Sequence, residues 1–226
     1  MTDREFTIEI YSDIVCPWCY IGKRRLERAL DQLNGAAQAR ITWRPFELNP
    51  TIPKEGMDRA TYLEAKFGSL DAFRQLEEHV LAAGAAERIP FAFDKMARTP
   101  NTFLAHRLIW YAEQQGRQDA VVESLFRGYF EEGADIGVLA ILVQLAGRSG
   151  LSVEAVDRFL QSDEGTEEVK AEEAAGHRLG IRGVPYFVLN QAYGISGAQP
   201  VDVFVSAIEK VRIHMSGASE GSTSRR

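Results

Sequence analysis

Cysteine is scarce here: 226 residues hold two, Cys16 and Cys19. One pair cannot form the disulfide framework that staples small secreted domains. Histidine is nearly as rare, with four residues at 79, 106, 177 and 214, none beside the cysteines in sequence. Structural zinc takes four ligands, so a lone pair of thiols without a second ligand pair is a poor zinc site. No metal and no cofactor are expected. Long apolar runs are missing too; nothing approaches the roughly 20 residues of a membrane span. The opening Met1-Thr2-Asp3-Arg4-Glu5 has no apolar segment of the secretory type, so the expected location is the cytoplasm. A structural disulfide would be unusual in that compartment. Basic charge is not in excess, at 26 Lys and Arg against 32 Asp and Glu, net −6. Without a basic stripe or aromatic-basic interleaving, neither nucleic acid nor a membrane is expected as a partner. No internal repeat is found.

What the chain does have is Asp13-Ile14-Val15-Cys16-Pro17-Trp18-Cys19-Tyr20. An alternating run at residues 6–11 precedes it and reads as a strand. Ile21, Leu26, Ala29, Leu30 and Leu33 follow on one helical face. The cysteines therefore sit where a strand hands over to a helix. Pro17 suits the first helical position, where a missing N–H costs nothing, which makes Cys16 the N-cap. A thiolate there is favoured by the free N–H groups and the helix dipole, so Cys16 is expected to have a lowered pKa. Cys19 lies one turn further in, more buried and within disulfide reach. A C-x-x-C in this setting is a thioredoxin-like redox signature. Two inert buried thiols are the plain alternative, and Pro17 and Trp18 at a helix start weigh against it.

The first helix ends near Asn34-Gly35, and residues 40–46 alternate as a second strand. Two prolines punctuate the loop that follows. From there to about residue 180 the period is helical. Gly68-Ser69 separates two helices, residues 89–93 form a short apolar loop or strand, and Thr99-Pro100-Asn101 opens another helix. Ser152 caps a short helix, with Leu151 and Val156 as a hydrophobic staple. Residues 166–179 are helical and Gly180 ends them. The strand period returns at residues 184–189, Asn190-Gln191 turns it, and residues 193–195 form the hairpin partner. Pro200 opens a last helix carrying Val201, Phe204, Ile208 and Val211 on one face. The two sheet-forming pieces are each too short to bury a core, so they must unite as one α/β domain with the helices inserted. The expected organisation is residues 1–54 and 165–216 as a discontinuous sheet-containing domain, 55–164 as an inserted all-helical domain, and 217–226 as a disordered tail.

This arrangement resembles the DsbA-like branch of the thioredoxin superfamily, and within it the FrnE-like subfamily. The likeness rests on residues 12–19, on Arg44-Pro45-Phe46-Glu47-Leu48-Asn49-Pro50, and on Asn101-Thr102 with Ala105-His106. Gly183-Val184-Pro185-Tyr186-Phe187 and Ile195-Ser196-Gly197-Ala198-Gln199 complete it. It implies a thioredoxin-like fold with a large helical insertion and thiol–disulfide oxidoreductase activity. Some relatives carry additional cysteines near the C-terminus, and this chain has none. The resemblance also implies a cis Val184–Pro185 bond facing the cysteines, with the Val184 backbone free to pair with an extended substrate.

The expected site is Cys16 and Cys19 as catalytic thiols, with Pro17, Trp18, Val184 and Pro185 as substrate-binding residues. Trp18 reads as a tuner of the cysteine environment and part of a docking surface. Asn101 is read as a helix cap and His106 as polar surface or a satisfied core residue, rather than as the mouth of a cleft. Asp13 would oppose a thiolate if close; Lys23 and Arg24 would favour one, unless solvated. Glu47 could accept a proton from Cys19, and a solvated loop carboxylate is the preferred reading of it.

The leading function is thiol–disulfide exchange: Cys16 attacks a substrate disulfide and Cys19 resolves the mixed disulfide. Expected partners are protein or small-molecule thiols and disulfides, including glutathione. The alternative is a glutathione-dependent isomerase or a kappa-class glutathione transferase-like enzyme. The resemblance implies that those usually carry serine where Cys16 stands and lack the second cysteine, so two thiols favour exchange. A redox-gated binding protein is the third reading.

Overall fold

A computed structural model describes residues 6–33 and 39–220 of the chain. Strand β1 (Phe6–Ser12) leads through α1 (Pro17–Gln32) to β2 (Ala39–Pro45). β1 and β2 are parallel, in register from Phe6 opposite Ala39 to Ser12 opposite Pro45. A helical crossover is what parallel neighbours require. A two-stranded ladder, β3 (Met57–Asp58) with β4 (Arg98–Thr99), brackets α2 (Arg59–Phe67) and α3 (Leu70–Ala86). Then follow α4 (Phe103–Gln114), α5 (Gln118–Phe130), α6 (Leu139–Arg148), α7 (Val153–Gln161) and α8 (Thr166–Arg178). The chain returns to the sheet as a hairpin, β5 (Tyr186–Leu189) and β6 (Tyr193–Ser196), and closes with α9 (Val201–Glu220). The main sheet has the order β2-β1-β5-β6, with β5 antiparallel to both its neighbours.

Sequence chemistry accounts for most boundaries. Gly68 ends α2 at φ 83°, a left-handed conformation that suits glycine. The Ser152 hydroxyl accepts from the Ala155 N–H at 3.2 Å and caps α7. Of the two readings of residues 89–93, loop or strand, the structure has the loop, which runs into a 3-10 turn at Phe93–Lys95. There Phe91 stacks on Phe93 at 5.0 Å, so packing of rings replaces strand pairing. α9 runs to Glu220, so the stretch expected as tail from 217 is helical as far as 220. Residues 221–226 lie outside the described residues.

Sheet and insertion share one apolar cluster, from Ile8 and Ile10 of β1 to Leu142 and Phe159 of the inserted helices. Tyr20 of α1 carries the junction. Its ring stacks on Phe126 of α5 at 5.0 Å, and its hydroxyl donates to Glu131 at 2.7 Å. Gln118 of α5 covers the outer edge of β2, accepting from the Trp43 N–H at 2.8 Å and donating to the Trp43 carbonyl at 3.0 Å. The Trp43 backbone is thereby closed to another strand.

Candidate active site

Cys16 is the N-cap of α1, with φ −91° and ψ 109°, and Pro17 follows in the first turn. Its own N–H donates to the Asp13 carbonyl at 3.1 Å, closing the turn that carries β1 into α1. The expected bonding of its sulfur to the free N–H groups of the helix is corrected: the Cys16 side chain makes no cap hydrogen bond. Its thiol points to the Val184 carbonyl oxygen, at 3.5 Å. The Cys16 residue is 4% exposed and Cys19 1% exposed, and both thiols are free.

Burial pushes the Cys19 thiol well above the ordinary range, and the neighbouring Cys16 sulfur adds to the effect; Ser12 and the Asp13 backbone N–H offset part of it. A thiol so placed stays protonated until a reaction draws the proton away.

Val184 and Pro185 reach the dithiol although 168 residues separate Val184 from Cys16. The Val184–Pro185 bond is cis. Pro185 packs on α1 where Gly22 has no side chain; a methyl there would lie 3.1 Å from Pro185 Cγ. Trp18, in the first turn of α1, is 37% exposed. Thus the structure brings Cys16, Cys19 and Val184 together, with Pro17 and Trp18 on the open side of α1.

Behind the dithiol lies a polar group that the sequence reading undervalued. Asp13 is fully buried; its Oδ2 accepts from the Leu48 N–H at 2.8 Å, and its Oδ1 lies 3.5 Å from His106 Nε2. His106, 3% exposed on α4, is neither surface nor a satisfied core residue, since Nε2 makes no hydrogen bond within the protein. Burial alone would lower its pKa, but Asp13, Glu47 and Glu173 together raise it. Glu47 is not a solvated loop carboxylate: its Oε1 is buried without a hydrogen bond. Burial pushes its pKa up to about 7, with Glu173 and Asp13 adding to this and His106 opposing it. Glu173 of α8 accepts from the Glu47 N–H at 2.7 Å.

The N-cap of α4 is Thr102 and not Asn101; Asn101 lies one residue earlier, where its Oδ1 accepts from the Phe103 N–H at 3.0 Å and its amide donates to the Ile52 carbonyl at 2.8 Å. Lys23 and Arg24 are not solvated. Lys23, 3% exposed, pairs with Glu27, with Asp119 at 3.4 Å and with Glu123 at 3.2 Å; Arg24 pairs with Glu27 at 2.9 Å and with Glu123. Their charges fasten α1 to α5.

Residues 7–209 match the family model described as the DSBA-like thioredoxin domain. Among solved structures, the chain is similar to a probable DsbA oxidoreductase, SCO1869, from Streptomyces coelicolor. Identity is 37%, the match covers 91% of this chain and 89% of that one, and the TM-score is 0.84. A 2-hydroxychromene-2-carboxylate isomerase shares the fold at 15% identity and TM-score 0.71, covering 94% of this chain and 98% of its own. So does the cytosolic disulfide reductase DsbM from Pseudomonas aeruginosa, at 20% identity and TM-score 0.65, covering 92% and 99%. That reductase has also been solved with glutathione.

Proposed function

The chain belongs to the family of the DSBA-like thioredoxin domain, and from that premise we propose that it exchanges disulfides through Cys16 and Cys19, Cys16 attacking and Cys19 resolving. The observation that carries this reading is the asymmetry of the pair. Cys16 caps α1 beside the Val184 carbonyl, at the end open to Trp18, whereas Cys19 is sealed beneath it with its thiol held protonated. In the reducing direction the Cys16 thiolate forms a bond to one sulfur of the substrate, and the other leaves as a thiol. Cys19 then loses its proton and attacks the Cys16 sulfur. The Cys16–Cys19 disulfide forms and the second substrate thiol departs. Reversed, the same steps oxidise a dithiol.

Substrate recognition falls to backbone and ring surface. The Val184 backbone pairs with an extended segment around the substrate disulfide, while Pro17 and Trp18 supply apolar contact. Glutathione is a partner by extension from DsbM, which has been solved with it; the cytoplasm is the compartment by the same extension. Assignment to the FrnE-like subfamily belongs to this proposal as well, and rests on the quoted motifs.

Turnover of a protein disulfide with glutathione as reductant tests the reading. Cys16→Ser is expected to lose activity entirely and Cys19→Ser to stall after one addition. The isomerase fold supports one competing outcome: conversion of glutathione adducts of small aromatics that survives Cys19→Ser would replace thiol exchange by isomerase or transferase chemistry.

A further inference from the structure

The two edges of the main sheet are finished differently. On β2, Gln118 takes both the N–H and the carbonyl of Trp43. β6 has β5 on one side and, among the described residues, no strand on the other. The Gly197 N–H donates to the Pro185 carbonyl at 2.8 Å. Bonded and non-bonded pairs alternate along an antiparallel ladder. Tyr193 and Ile195 therefore bond inward to β5, and Gly194 and Ser196 turn their backbone groups outward. The Gln199 amide covers the Ser196 carbonyl at 2.8 Å. The Gly194 N–H, its carbonyl and the Ser196 N–H are left for an outside partner. Proline or lysine commonly guards an edge strand, and Tyr193-Gly194-Ile195-Ser196 holds neither.

An open groove lies beside this edge. It encloses about 380 Å³ between β6 and α9, lined by Tyr193, Ile195, Val203 and Ala207, with Asp202 and Lys210 on its α9 wall. Tyr193 is 41% exposed and Val203 39%. Ile213, 70% exposed, continues the same helical stripe three residues past Lys210. Exposed apolar residues scattered singly are ordinary, but a group of them beside an open strand marks an interaction surface.

The charges on α9 identify the occupant. Asp202 stands four residues before Ser206 and Lys210 four after it. At 1.5 Å per residue the two lie about 12 Å apart along the axis, too far to pair within one helix. Acid, small residue and base in this order complement a second α9 laid antiparallel. A two-fold axis at Ser206 sets Asp202 opposite the partner's Lys210 and Lys210 opposite the partner's Asp202, the reciprocity that a symmetric interface requires. Ser206 and Ala207 are small enough for close approach. The same axis lays β6 antiparallel to its copy, so that each Gly194 N–H can donate to the partner's Gly194 carbonyl. Residues 221–226, Gly-Ser-Thr-Ser-Arg-Arg, bring no apolar side chain to fill the groove instead.

We propose that β6 and the adjoining face of α9 form the interface of a symmetric homodimer, in which the two four-stranded sheets become continuous. The inference is independent of the disulfide-exchange reading. Cys16, Trp18, Val184 and Pro185 do not line the groove, so the dithiols lie outside the interface.

Sedimentation of the full chain at low salt tests this, with reductant present to exclude disulfide-linked species. Wild type is expected to sediment as a dimer. Asp202→Lys and Lys210→Asp should each weaken association about tenfold or more, because two attractive pairs become two repulsive ones. An equimolar mixture of those two variants should recover wild-type association, since each lysine of one chain then faces an aspartate of the other. Ser206→Arg crowds two arginines onto the axis and should dissociate the dimer as well. Circular dichroism checks that each variant is folded. Wild type that stays monomeric up to about 1 mM, where even a weak specific contact is half-formed, overturns the proposal. So does a dimer that none of these variants weakens, or a mixture that associates no better than its components.

Discussion

The Cys16 sulfur meets the carbonyl oxygen of Val184 at 3.5 Å across 168 residues of chain. That contact joins the first βαβ unit to the returning hairpin. It places the N-terminal end of α1 against the Val184 backbone.

The first prediction concerns the order of thiol modification. Burial pushes the Cys19 thiol up, so native protein treated with an alkylating agent near neutral pH should be modified at Cys16 first. Peptide mapping after partial labelling reads this. Modification of Cys19 ahead of Cys16 would reverse the assigned roles.

A second prediction concerns stability against pH. Glu47 titrates in the folded protein at about 7, above its ordinary value of 4.5. A raised folded pKa means that the stability contributed is full below the unfolded value and is lost as pH rises through the folded one. Between about pH 4.5 and 7, wild type should lose stability relative to Glu47→Gln, which cannot ionise. Denaturant unfolding across that window measures it; parallel curves for the two proteins would contradict it.

How far the sequence revealed the site follows from where each residue's environment comes from. Cys16, Pro17 and Cys19 were legible because a strand, a cap and a helix in twenty consecutive residues define their setting. Ser152 was legible for the same local reason. His106 was not, because its character comes from Asp13, which is 93 positions away and carries no periodic signal. Glu47 looked like loop until Glu173 and the insertion closed over it. Lys23 and Arg24 were open between favouring a thiolate and being solvated, because their partners Asp119 and Glu123 belong to α5. Two-residue strands such as β3 and β4 leave no alternation to detect.

Glu87 yields a third prediction. Its side chain is 5% exposed and receives Arg25 at 2.9 Å and Arg28 at 2.7 Å, tying the end of α3 to α1. Burial would raise its pKa, but the two guanidinium groups outweigh this and hold it below the usual carboxylate range. Glu87→Gln should destabilise by about 1.5–3 kcal/mol, the range for a hydrogen bond to a charged group. A depressed folded pKa contributes stability above the unfolded value that is lost as pH falls. The variant's deficit should therefore shrink in acid. A deficit that persists unchanged at low pH would assign the loss to packing instead.

Gly176 supports a fourth. A methyl there would come within 2.6 Å of the buried Tyr11 ring, at Cε1. Alanine normally improves a helix by about 1 kcal/mol over glycine. Here the clash should win, as overpacking costs about 1–3 kcal/mol, so Gly176→Ala should lower rather than raise the melting temperature. A raised melting temperature would show that Tyr11 has room to move.

The assignment of attacking and resolving thiols is tested most directly by one mass measurement. Cys19→Ser protein is mixed with a protein disulfide, quenched, and weighed intact under non-reducing conditions. The account predicts a stable adduct of one substrate thiol on Cys16, together with a Cys16–Cys19 disulfide and no lasting adduct in wild type treated alike. Absence of the adduct in Cys19→Ser, or an equal adduct in Cys16→Ser, would contradict it.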